Sequence, residues 1–201
     1  MGLVVLVAVG AVVAALLAGG SWHGFNNLRV RRPWLVVAAI AVQAVGAALA
    51  GSASRDWYTA GLAGSAAAAL VFCLANLRLA GLPLITAGLA LNAVVVGLNT
   101  SMPVSIFSAS RADVSIATIS VGADPRHSIA GIGTTWRALG DTIPVPLPVA
   151  PEVVSPGDVL VAAGIGELLF VTMRRKRQDE TAAGPTPPNA PRPSVVTLFN
   201  R

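Results

Sequence analysis

Long stretches with almost no charge constrain this chain more than any other feature of its sequence. Residues 2–20, GLVVLVAVGAVVAALLAGG, contain no charged side chain. About 20 mostly apolar residues are enough for one helix to cross the hydrocarbon core of a bilayer. Four further apolar stretches follow, at about 34–51, 58–76, 82–98 and 157–173. We therefore predict an all-α fold, a polytopic transmembrane bundle of five spans.

The composition argues against an ordinary water-soluble domain. Only 11% of the 201 residues are charged and 54% are hydrophobic, whereas soluble domains carry roughly 25% charged residues. The net charge of +5 does not indicate nucleic-acid binding, because that requires basic residues gathered on a folded surface and here they lie between and after the apolar stretches. The single cysteine, Cys73, excludes an intramolecular disulfide and a cysteine-based metal cluster.

The first apolar stretch has two readings. Small residues near Ala18 resemble a signal-peptide cleavage site, but a signal peptide begins with basic residues. Here the basic residues Arg29, Arg31 and Arg32 follow the stretch and none precedes it. This pattern favours a retained first span over a cleaved signal peptide.

The chain divides into a transmembrane domain at 1–173, which includes a partly ordered outer loop at 99–156, and a disordered, proline-rich tail at 174–201. Within the loop, the spacing of apolar residues from Ile129 to Leu139 predicts a short interfacial helix that ends at Gly140. The prolines that follow predict extended backbone up to Ser155. Ser155 and Asp158 have the spacing of a capping box at the start of the last span.

Positive residues predict the orientation, because Arg and Lys in short loops stay on the cytoplasmic side. Arg78 follows the third span and Arg174, Arg175, Lys176 and Arg177 follow the last one. We therefore expect a plasma-membrane protein with its N-terminus and the 99–156 loop outside and its C-terminus in the cytoplasm. The cluster after the last span is a topology anchor, with contact to anionic lipid as a second role.

Three polar residues fall within the predicted spans. Gln43, Asn92 and Glu167 each lie about ten residues into their span, so we expect them at similar depths, within roughly 5 Å along the membrane normal. A carboxylate at that depth is costly and suggests function. The three could form a proton or ion site, but inter-helix hydrogen bonds with a protonated Glu167 are the favoured interpretation.

The outer loop contains little recognisable chemistry. Asp124 and His127 are three residues apart, but one histidine with one carboxylate provides too few ligands for zinc, so neither a metal nor a cofactor is predicted. No G-x-S-x-G, H-E-x-x-H or phosphate-loop motif occurs. Asp141 has no evident structural duty and is the weak candidate for a catalytic residue.

Two local patterns, LNAVVVGLNTSMPVS at 91–105 and LGDTIPVP with SPGDVL at 139–160, are more specific than composition. Together they resemble a family of small bacterial integral membrane proteins known only as a domain of unknown function. That family often has Gly-Gly where this chain has Thr100 and Ser101. The matching residues are Asn92, Asn99, Met102, Pro103, Gly140, Asp141, Pro144, Pro146, Ser155, Gly157 and Asp158.

The resemblance implies a membrane fold and brings no activity with it. We expect a structural or accessory protein that contacts the lipid bilayer and associates with other membrane subunits or with itself. A small transporter or channel that uses Gln43, Asn92 and Glu167 is the alternative. An enzyme that acts on a lipid or envelope substrate through Asp141 is the third reading.

Overall fold

The chain folds into helices with a small strand module inserted before the last of them. A computed structural model describes residues 2–50, 55–120, 124 and 126–182. The α-helices in these residues are α1 Gly2–Leu17, α2 Trp34–Ala50, α3 Arg55–Ala75, α4 Leu82–Asn99, α5 Ile106–Arg111, α6 Ala117–Ser120 and α7 Pro156–Ala182. The strands are β1 Met102–Val104, β2 His127–Ile129, β3 Ile143–Val145 and β4 Glu152–Val154, and 3-10 helices occupy Trp22–Asn27 and Arg137–Leu139.

The prediction of a five-span bundle is wrong. Helices do form at all five apolar stretches, but within the described residues only Leu82–Asn99 and Pro156–Arg175 are long and apolar enough to cross a membrane. The first three apolar helical segments have 10–17 residues, and a helix of 16 residues spans only about 24 Å of a hydrocarbon core of about 30 Å. Hydropathy counts apolar residues without showing where a helix ends. The first helix stops at Leu17 because the chain turns there, with Gly19 at φ 77°.

Glycines bring α4 and α7 into backbone contact as an antiparallel pair. A Cβ atom added to Gly164 would lie 2.5 Å from the Gly81 carbonyl oxygen, and one added to Gly157 would lie 2.7 Å from the Gly88 carbonyl oxygen. Small residues allow two helix backbones to approach this closely. The glycine pairs therefore determine the register of α4 against α7.

Helix α1 runs parallel to α7 and is fastened at both ends. The Glu152 carboxylate accepts hydrogen bonds from the amides of Gly2 (3.0 Å) and Leu3 (2.5 Å). Beyond the other end, the Ser21 amide donates to the Met173 carbonyl oxygen at 2.8 Å. Helices α2 and α3 pack on each other as a hairpin, and α3 connects this hairpin to α4.

The strands form a module beside the end of α4 and the beginning of α7. Strand β1 pairs with β2 in parallel and β3 pairs with β4 antiparallel, while a bridge between Val104 and Asp141 joins the two small sheets. The β3–β4 hairpin confirms the predicted extended backbone. The predicted interfacial helix is wrong: Ile129 belongs to β2, and only Arg137–Leu139 turns before Gly140. The beginning of that segment pairs with β1 as a strand, so it cannot form a helix.

The beginning of α7 confirms the predicted capping box. The Asp158 amide donates to Ser155 Oγ and the Ser155 amide donates to Asp158 Oδ2, both at 3.0 Å. At its other end α7 continues to Ala182, so the first residues of the predicted disordered tail are helical. The remainder of that tail, 183–201, lies outside the described residues.

Candidate functional site

The two motifs of the sequence meet in the strand module. Gly140 lies against Pro103, where an added Cβ would clash with the Pro103 carbonyl oxygen. The Asp141 amide donates to that carbonyl oxygen at 2.8 Å, and the Ser105 amide donates to the Asp141 carbonyl oxygen at 2.9 Å. The MPVS and LGDTIP segments are thus joined through their backbones, and Asp141 lies at the junction.

Asp141 is the end of a chain of three ionisable side chains. Its Oδ2 atom is 3.6 Å from His127 Nε2, and His127 Nδ1 is 2.7 Å from Asp124 Oδ2. The side chain of Asp141 is 7% exposed and that of His127 is 28% exposed. Because β2 pairs with β1, His127 lies opposite Met102, which holds the imidazole over the motif junction. The ring therefore lies between the buried carboxylate and the more exposed Asp124.

The environment of Asp141 favours its neutral form. Burial, with the negative charges of Asp158 and Glu152, raises the pKa of Asp141 to about 7. The pKa of Asp124 is lowered overall. Partial burial, the largest single cause, raises this pKa, but the hydrogen bonds with His127 and the Arg126 amide together outweigh it. The arrangement can hold a proton on Asp141 near neutral pH while an ionised Asp124 orients the imidazole.

The side chains of Asp124, His127 and Asp141 are not arranged as a set of metal ligands. Among the described residues, no group of three or more His, Cys, Asp and Glu side chains is arranged to hold a metal ion. Asp124 and His127, the pair considered from sequence, bond to each other.

A second polar group fastens α4 to α7. Asn92 Nδ2 donates to Asp158 Oδ1 at 2.8 Å, and Ser155 Oγ donates to Asn92 Oδ1 at 2.9 Å. The amide side chain lies directly against Gly157, so that a Cβ there would clash with it. Asn92, Ser155, Gly157 and Asp158 therefore form one packed joint, in which each polar group has a partner.

Of the remaining motif residues, Asn99 is hydrogen-bonded, and Met102 and the prolines differ in their burial. Asn99 Nδ2 donates to the carbonyl oxygens of Val95 and Thr135, and Asn99 Oδ1 accepts from the Thr135 amide, all at 2.9 Å. Met102 and Pro103 are buried, whereas Pro144 is half-buried and Pro146 is exposed.

The three polar residues predicted at mid-membrane are not brought together. Gln43 Oε1 accepts from Ser65 Oγ at 2.7 Å, Asn92 belongs to the joint with Asp158, and Glu167 is exposed. The register explains the difference: Gly81 faces Gly164, so Asn92 lies level with the first turn of α7. Glu167 is then about 15 Å further along that helix.

No pattern in the sequence predicted the contact between His127 and Asp141. The two residues are fourteen positions apart on segments that meet only because β1 lies between β2 and Asp141. A parallel strand pair leaves no local sequence pattern that identifies its partner.

Residues 27–170 match the model of a protein family that is described as a family of unknown function (DUF5317). This agrees with the coarse prediction of membership in a family of unknown function. No curated protein and no solved structure matches the chain significantly.

Proposed function

We propose that this chain, which belongs to the family of unknown function DUF5317, is an integral membrane protein with a structural or accessory role in a membrane complex. One observation carries the proposal: the polar motif side chains have partners within the chain, whereas apolar side chains on the helix surfaces are exposed. Val9 of α1 is 57% exposed and Ile40 of α2 is 66% exposed. Apolar surface of this extent is typical of contact with lipid or another subunit.

In this proposal α4 and α7 cross the membrane as an antiparallel pair and the strand module lies outside. Arg78 precedes α4 and Arg174 follows the apolar part of α7, which favours a cytoplasmic location for that end.

The accessory role is tested by purification from native membranes in mild detergent after reversible cross-linking. We expect the tagged protein to resist alkaline extraction from the membrane and to recover one or more membrane proteins in fixed proportion. Release by alkali would contradict the membrane assignment. Recovery of the protein alone, from a membrane fraction that resists alkali, would contradict only the accessory role.

A second candidate function is acid–base chemistry on a lipid or envelope substrate. The chain of contacts from Asp124 through His127 to Asp141 favours it, because a buried acid with a pKa near the working pH is suited to proton transfer. Asp141 would donate or accept the proton, His127 would exchange it with solvent, and Asp124 would orient the ring.

This second function is tested by comparing the envelope lipids of strains that carry Asp141→Asn, His127→Gln or the control Asp113→Asn. Asp113 is an exposed carboxylate of the same module. Accumulation of one lipid in the first two strains only is the expected result, and identical lipid profiles in all strains would contradict it. The transport hypothesis gains no support, since the described contacts do not join Gln43, Asn92 and Glu167.

A further inference from the structure

Three separate segments carry arginines at the end of the bundle away from the strand module. They lie before α2, between α3 and α4, and after the apolar part of α7. All of these arginines are exposed. We call them the arginine surface, and its members are Arg29, Arg31, Arg32, Arg78, Arg174 and Arg175.

Backbone contacts fasten the first segment to the end of the apolar part of α7. The Ser21 amide donates to the Met173 carbonyl oxygen at 2.8 Å. Gly24 lies so close to the Thr172 carbonyl oxygen that a Cβ atom there would clash with it. The first arginines follow within a few residues, and Arg174 is the next residue after Met173.

Asn76 fastens the same segment to the end of α3. Its Oδ1 atom accepts from the Arg31 amide at 2.7 Å, and its Nδ2 atom donates to the carbonyl oxygens of Arg31 (2.9 Å) and Phe72 (2.8 Å). Asn76 is 3% exposed, so this clamp is buried. Arg78 lies two residues further along the chain, so the Asn76 clamp also holds the second segment at the arginine surface.

The carboxylates whose side chains the structure describes do not neutralise this surface. Among those side chains, none lies within ion-pair distance of the six guanidinium groups. Arg126 in the strand module, by contrast, has Asp124 at 3.5 Å. Arg32 also adopts φ 54°, a conformation that costs a non-glycine residue free energy and suggests a constraint at this position.

Two tryptophans indicate what lies beside these charges. Trp22 is 57% exposed and Trp34 is 62% exposed, and both flank the segment that carries the first three arginines. Exposed tryptophan beside arginine is typical of the interface between lipid tails and headgroups. A binding site for a soluble anion has no need of such exposed indole rings.

We infer that the arginine surface binds the phosphate groups of anionic lipid headgroups at the cytoplasmic face. Guanidinium groups form paired hydrogen bonds with phosphate oxygens. The backbone contacts hold arginines from three segments at this end of the bundle, so the site extends beyond the basic cluster that follows the apolar part of α7. This inference rests on the proposed membrane location and adds a lipid class to it.

The test uses the full chain in lipid nanodiscs that contain zwitterionic phosphatidylcholine with or without phosphatidylglycerol, with retained lipid counted by native mass spectrometry. The variant Arg31→Gln/Arg32→Gln/Arg78→Gln should lose about 100-fold in affinity for phosphatidylglycerol, since each basic residue near an anionic surface contributes roughly fivefold. The same three positions changed to Lys keep the charge and should retain most of the affinity. Arg111→Gln/Arg126→Gln/Arg137→Gln removes three exposed arginines from the strand module, so it is the charge-matched control and should bind as the wild type does.

Each remaining outcome overturns the inference. Equal retention of both lipids by the wild type would do so, as would an equal loss in the control variant. If Arg174→Gln/Arg175→Gln removed all binding while the three-site variant kept it, the surface would be confined to α7. Displacement by inorganic phosphate without a preference for phosphatidylglycerol would indicate a soluble anion. Alkaline extraction of each variant separates these failures from a failure of the membrane assignment.

Discussion

Folding favours the protonated form of Asp141 because its surroundings penalise the charged form and raise its pKa. Burial is the largest cause, and the nearby carboxylates of Asp158 and Glu152 add to it. The imidazole of His127 lies near it, and Asp124 holds that ring from the other side. The cost of this arrangement suggests a reason for a carboxylate at this position beyond the fold, since a neutral side chain would avoid it.

The stability of the protein should therefore depend on this residue in a defined pH range. The pKa of Asp141 is about 7 in the folded chain and 3.8 ordinarily, so the folded state binds more protons between these values. The free energy of unfolding should fall as pH rises from about 4 to 7, by at most about 4 kcal/mol. Asp141→Asn removes this loss, and its thermal midpoint in detergent should change less between pH 5 and pH 8 than that of the wild type. Asp113→Asn should follow the wild type, and parallel profiles for all three proteins would contradict the prediction.

Thr100 occupies a position that favours glycine. It ends α4 with φ 63°, a left-handed backbone conformation. A left-handed conformation costs a β-branched residue roughly 1–2 kcal/mol, partly offset by the greater freedom that glycine has in the unfolded chain. Thr100→Gly should raise stability by about 0.5–1 kcal/mol, measured as an increased thermal midpoint. Thr135→Gly, at a position without positive φ, is the control and should lower it.

At the scale of the element, the α4–α7 pair depends on the absence of side chains at its contact. The Cβ of an alanine at position 164 would lie 2.5 Å from the Gly81 carbonyl oxygen and 2.7 Å from Ile85 Cγ1. Real Cβ atoms do not approach this closely, so the helices would have to separate. The joint of Asn92 with Asp158 lies on the same pair and would be displaced with it.

Gly164→Ala should therefore destabilise the protein by about 1–3 kcal/mol through overpacking. Gly97→Ala provides the matched control on α4, because nothing lies within 4 Å of a Cβ there and alanine is the better helix former by about 0.5–1 kcal/mol. Thermal midpoints in detergent measure both effects. A Gly164→Ala protein that melted at or above the wild-type temperature would contradict the packing that we describe.

At the scale of the whole molecule, the arginine surface and the strand module lie at opposite ends of the α4–α7 pair. In the proposed orientation only the module is reachable from outside the cell. Asp113 is exposed in the module and Leu77 is 42% exposed near the arginine surface. The single natural cysteine, Cys73, is buried and can be removed with Cys73→Ala.

In that background, the Asp113→Cys variant should react with a membrane-impermeant maleimide in intact cells. The Leu77→Cys variant should react only after the membrane is opened. The reverse pattern would place the module in the cytoplasm, and equal labelling of both variants in intact cells would contradict a membrane between the two ends.

Local patterns were sufficient for the features that depend on neighbouring residues. The positions of the apolar helices, the capping box of Ser155 with Asp158 and the extended backbone before α7 each involve residues close together in the sequence, so propensity and spacing determine them. Tertiary structure decided where α1 stops, which glycines of α4 face those of α7, and therefore how far Asn92 lies from Glu167. It also brought His127 to Asp141 and Arg31 to Asn76. These contacts join segments separated by 14 to about 80 residues, and close packing between segments, which no local pattern encodes, selects them.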